Sequence, residues 1–106
     1  MLKVKAKDKH NWNVWVYGIL EAPDKVRSDG HTVEVEARTV CENTGVKCKG
    51  QFVYENDWLE VDEPGEIHKL LIARRENEFR AFEDENVSYD LRETARYGRI
   101  VGNLYG

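Results

Sequence analysis

Apolar and polar residues alternate with a period of two along much of the chain. Leu2, Val4 and Ala6 interleave with Lys3, Lys5 and Lys7, so a strand here sends the apolar set to one face and the lysines to the other. Residues 12–20 are rich in aromatic and β-branched side chains and predict a second strand. Its two faces, Trp12-Val14-Val16-Gly18-Leu20 and Asn13-Trp15-Tyr17-Ile19, are both largely apolar, as expected of a strand covered on both sides. Residues 21–30 carry Pro23, Asp24, Ser28, Asp29 and Gly30 and predict a surface loop. Alternation resumes over residues 31–41, with Val33, Val35, Ala37, Thr39 and Cys41 on one side and Glu34, Glu36 and Arg38 on the other.

A turn at Thr44-Gly45 would pair residues 31–41 with residues 46–54 and bring Cys41 opposite Cys48. In that register Cys48, Gly50, Phe52 and Tyr54 share the face of Val33, Val35, Ala37 and Thr39. The two strands therefore agree on which side is the core. A short strand over residues 58–61 follows, ended by Asp62-Glu63-Pro64-Gly65. Residues 66–85 fit either a helix or a hairpin across residues 76–78. The hairpin is preferred because a helix would leave Ile72 and Phe79 off its apolar face. Asp90-Leu91-Arg92-Glu93 has the form of a capping box and predicts a short helix over residues 91–97, closed by Gly98. Residues 99–105 then form a last strand or extend the helix. The expected fold is α+β and mainly β: an antiparallel sheet of five or more strands, or a small barrel, with one short C-terminal helix.

Composition narrows this further. With 106 residues, 41% hydrophobic and 34% charged, the chain suits a single domain spanning 1–106 with one core. No apolar run approaches the roughly 20 residues of a membrane span. The N-terminus lacks a signal-peptide core, so the expectation is a soluble cytoplasmic protein. Two cysteines are too few for a disulfide framework and leave open whether Cys41 and Cys48 are bonded or free. The net charge of −4 is uneven: residues 1–54 hold nine Lys/Arg against seven Asp/Glu, and residues 55–106 hold seven against thirteen.

No motif points to catalysis. His10, His31 and His68 lack metal-ligand spacing, and there is no phosphate loop or nucleophile elbow. No cofactor and no metal are expected. Residues 97–105 (YGRIVGNLY) and 17–24 (YGILEAPD) resemble two fragments of staphylococcal-nuclease-like domains. Their order relative to Asp29-Gly30-His31-Thr32 is wrong for that family, and His31 stands where an acidic metal ligand belongs, so no catalytic residue is carried over.

Two binding chemistries remain. The acidic turns, represented by Glu60, Asp62 and Glu63, suit docking on an unknown partner protein, as in an inhibitor or adaptor of the kind phages and mobile elements encode. This non-enzymatic reading is favoured. The alternative is single-stranded nucleic acid, with Lys3, Lys5 and Lys7 neutralising phosphates beside Trp15 and Tyr17 as stacking platforms. Burial of both Trp15 and Tyr17 would remove it. The same lysines would also serve to shield an N-terminal edge strand, and an uncovered edge would allow homo-oligomers.

Overall fold

The computed structural model describes all residues from Met1 to Gly106. Two antiparallel sheets, of six and five strands, account for most of the chain. One seven-residue helix lies near the C-terminus, and there is no closed barrel. The mainly β architecture with a short late helix is thus what the chain adopts, and the small barrel is not. No helix is long and apolar enough to cross a membrane. The residues group into two compact units, Met1–Asn43 and Thr44–Gly106, and the buried apolar side chains form two clusters rather than one, each inside one unit.

The first unit contains β1 (Lys3–Asp8), β2 (Asn11–Ala22), β3 (Lys25–Ser28), β4 (His31–Glu34) and the start of β5 (Cys41–Cys48). The strand order is β4-β3-β2-β1, with Cys41 and Glu42 of β5 on the other edge of β1. Farther along that edge, Lys9 N donates to Glu34 O and Glu36 N to Lys7 O. The N-terminal strand, expected as an edge, is therefore flanked on both sides. Val4, Ala6, Val16, Val26 and Val35 form the core, as the alternation in β1 requires.

The predicted pairing of residues 31–41 with 46–54 does not form. β4 ends at Glu34, Ala37–Thr39 makes one turn of 3-10 helix, and β5 runs straight through Thr44-Gly45. The hairpin turns fall instead at Asp29-Gly30 and Lys49-Gly50, where both central residues have positive φ: 49° and 80°, then 50° and 83°. A two-residue turn matching the strand twist needs φ > 0 at its first central residue, and in type I′ at both. β-branched Thr44 resists that, and its hydroxyl instead donates to Val53 O at 2.7 Å. Cys41 and Cys48 consequently sit on one strand, buried and not joined by a disulfide. Their thiols donate to Thr39 O and Gly98 O.

The second unit continues from β5 into β6 (Gln51–Tyr54), β7 (Asp57–Glu63), β8 (Glu66–Arg75), β9 (Glu78–Asp84), β10 (Val87–Asp90), α1 (Leu91–Tyr97) and β11 (Gly98–Asn103). Its five-stranded sheet runs β10-β9-β8-β7-β11. Residues 66–85 form the hairpin, turning at Glu76-Asn77. The reason is that Leu70, Ile72, Phe79 and Ala81 can all reach one sheet face, which a helix would not permit. Leu59, Leu70, Ile72 and Ala81 pack there against Leu91 and Ala95 of α1 and against Val46, Cys48 and Val53. The helix begins as its sequence predicts: Asp90 Oδ1 accepts from Glu93 N at 3.0 Å.

Candidate functional site

In the first unit, the β1–β2 register places Lys5 opposite Tyr17 and Lys7 opposite Trp15. Asp8 then pairs with Asn11 instead of Val14, so residues 12–14 bulge outward. Asn11 Oδ1 holds this bulge by accepting from Asn13 N at 3.1 Å. The bulge swings Trp12 into line with Trp15, and cations alternate with indoles. Lys5 Nζ and Lys7 Nζ stand 4.6 and 4.5 Å from the Trp15 ring centre, and Lys7 Nζ and Arg38 Cζ stand 5.6 and 5.1 Å from that of Trp12.

The alternation thus brings Lys5, Lys7, Trp15 and Tyr17 together, as the sequence implied, but their availability differs. Tyr17 is 51% exposed and Trp12 41%, whereas Lys5 and Lys7 retain only 8% and 3%. Trp15 is half-buried and Lys3 exposed. The two covered ammonium groups serve first as packing partners of the indoles, since a desolvated cation over an aromatic face is worth about 2 kcal/mol. The exposed cations beside the row are Lys3 and Arg38. Sequence reasoning missed Trp12 and Arg38, because only the bulge brings Trp12 round.

Among the acidic candidates, Glu60 and Asp62 share one arginine. Arg99 Nη1 lies 3.0 Å from Asp62 Oδ2, and Arg99 Nη2 contacts Glu60 Oε1. Arg99 holds the Asp62 carboxyl below its ordinary value through this hydrogen bond. These two carboxylates are already partnered across β7 and β11. Glu63 has a different role.

Glu63 lies beside His68, the centre of a cluster that sequence reasoning did not find. His68 Nδ1 is 2.9 Å from Glu83 Oε1, and Tyr89 donates from its hydroxyl to Glu83 Oε2 at 3.0 Å. Nε2 is shielded from solvent with no hydrogen-bond partner; carboxylate oxygens of Glu63 and Glu66 stand 3.5 and 3.6 Å away. The hydrogen bond to Glu83 and the surrounding carboxylates raise the His68 pKa above its ordinary value. The same Glu83 raises that of Tyr89.

This cluster walls a cavity of about 250 Å³ between the sheet and α1. Val61 and Leu70 give it an apolar floor, Tyr89 and Tyr97 flank it, and Glu63, Asp90 and Glu93 bring carboxylates; no Lys or Arg lines it. The hydroxyl of Thr94, also in the lining, is engaged in donating to Asp90 O at 2.8 Å. An imidazole that shares its proton with a carboxylate, beside an occupied hydroxyl, makes a proton-holding and cation-attracting site rather than an activated nucleophile. No group of His, Cys, Asp or Glu is arranged to hold a metal ion.

Comparison with known proteins found no matching family model, no matching characterised protein and no matching solved structure.

Proposed function

We propose that the chain is a small, non-enzymatic binding module that docks on another protein through its second unit, as an inhibitor or adaptor of the phage and mobile-element type. The observation that carries this reading is the cavity beside α1, where an apolar floor lies among exposed tyrosines and carboxylates with no Lys or Arg lining it. Such a combination of anchor pocket and charged rim is what a recognition surface uses. The lack of a disulfide at Cys41 and Cys48 fits a reducing compartment such as the cytoplasm.

The test is site-specific photocrosslinking from position 97, where Tyr97 is 64% exposed, in an extract of the source cells. A discrete adduct competed by unlabelled wild-type protein, but not by the Glu63→Arg/Glu93→Arg variant, is the expected outcome. No competable adduct would sink the reading.

A second reading, single-stranded nucleic acid, is favoured by the row of Trp12, Trp15 and Tyr17 interleaved with basic groups. Exposed rings stack bases at about 1–3 kcal/mol each. It expects oligothymidylate to quench tryptophan fluorescence, with quenching reduced by Tyr17→Ala and by added salt. Unquenched emission at low salt would exclude it.

A further inference from the structure

We infer that the cavity beside α1 is a receptor for a single arginine side chain presented by the partner protein, an assignment that rests on the docking role proposed for the second unit. Size limits the ligand first. At about 250 Å³, the cavity falls below the roughly 300–1,000 Å³ of small-molecule sites, so it has room for one long side chain rather than a cofactor.

Chemistry limits it next. The floor of Val61 and Leu70 suits the methylenes of a long stem, while Glu63 and Glu93 bring carboxylates to the lining. These two side chains are 65% and 62% exposed. Two basic groups compete for them: His68 Nε2, 3.5 Å from Glu63 Oε2 and cationic only when protonated, and Arg96 Nη1, 4.0 Å from Glu93 Oε2 with both groups in solvent, a contact of small worth. An anion would meet Glu63, Asp90 and Glu93 in the lining and Glu83 behind His68, and would be repelled.

Tyr89 and Tyr97 separate arginine from other cations. A guanidinium is flat, weakly hydrated and able to stack on a phenol ring while donating two hydrogen bonds to one carboxylate; an ammonium does neither as well. The arrangement spends an apolar stem, a planar head and a positive charge in one place. Arginine has all three.

The test is a titration of the ¹⁵N-labelled full chain with acetyl-Gly-Arg-Gly-amide, followed by amide chemical shifts. Saturable shifts at Leu70, Tyr89 and Thr94, with Kd on the order of millimolar, are expected. The citrulline peptide, which keeps the planar shape but loses the charge and exchanges one donor amino group for a carbonyl acceptor, should bind about tenfold more weakly, and the lysine peptide should fall between the two.

Glu63→Gln/Glu93→Gln should weaken the arginine peptide about tenfold while leaving the spectrum unchanged away from the cavity, because both side chains are largely exposed. Absence of saturable shifts at tens of millimolar, equal binding of the citrulline peptide, or indifference to the double substitution would each overturn the assignment. If the peptide fails while the crosslinked partner still depends on Glu63 and Glu93, the arginine assignment falls and the docking role stands. If the peptide binds as described but nothing crosslinks at position 97, the docking role falls and the arginine site stands.

Discussion

At Gly18 the neighbouring strand stands so close that a Cβ would lie 1.9 Å from the carbonyl oxygen of Arg27 and 3.1 Å from Val26. Backbone cannot yield as a flexible side chain can, so β2 and β3 must separate to admit one methyl group. Gly18→Ala should cost about 3 kcal/mol, at the upper end of overpacking effects, read as a lowered urea midpoint. A loss under about 0.5 kcal/mol would show that β3 is not held as described. His68 carries a consequence of opposite character. Its pKa is raised in the fold by Glu83, Glu66 and Glu63, so the proton is bound more tightly folded than unfolded. The associated stability is fully present below the unfolded value of about 6.5 and is lost as pH rises through the higher folded value. The stability advantage of wild type over His68→Gln should therefore shrink over the range from about pH 6.5 upward in denaturant titrations. An advantage that is constant or grows over that range would refute the ring's pairing with the glutamates.

Elements were legible where one local device decides them. Asp90 caps α1 through Glu93 N, and the helix is only seven residues long, too short to persist by propensity alone. Asp90→Ala should cost about 1 kcal/mol and lower the thermal midpoint of the second unit; an unchanged midpoint would mean that packing of Leu91 and Ala95 alone holds the helix. Turns were harder. Asp29-Gly30 is a strong two-residue hairpin signal, yet so short a pair as β3 and β4 hides among turn-forming residues, and the segment reads as loop. Thr44-Gly45 misleads in the opposite direction, because Gly45 takes φ +79° inside β5 without ending it. The aromatic–basic row was largely visible because it lies on adjacent strands with period two. The His68 cluster was not, since Glu63, Glu66, Glu83 and Tyr89 arrive from four strands whose pairing only the fold supplies.

For the whole molecule, the division into units redistributes the charge in a way that a cut at mid-chain obscures. Residues 1–43 hold seven Lys/Arg and seven Asp/Glu, while residues 44–106 hold nine and thirteen, so the entire excess of negative charge belongs to the second unit. In the neutral first unit, two of the five lysines are covered by indoles. Long-range attraction should then favour cationic partners, with screening lengths of about 14 Å at 50 mM salt and 6 Å at 300 mM. A labelled hexa-arginine should bind more tightly than oligothymidylate of similar length at low salt, and its affinity should fall as salt rises. The outcome also ranks the two binding surfaces. If oligothymidylate binds more tightly, short-range stacking on Trp12 and Tyr17 outweighs the field of the second unit, and the aromatic–basic row is the principal site.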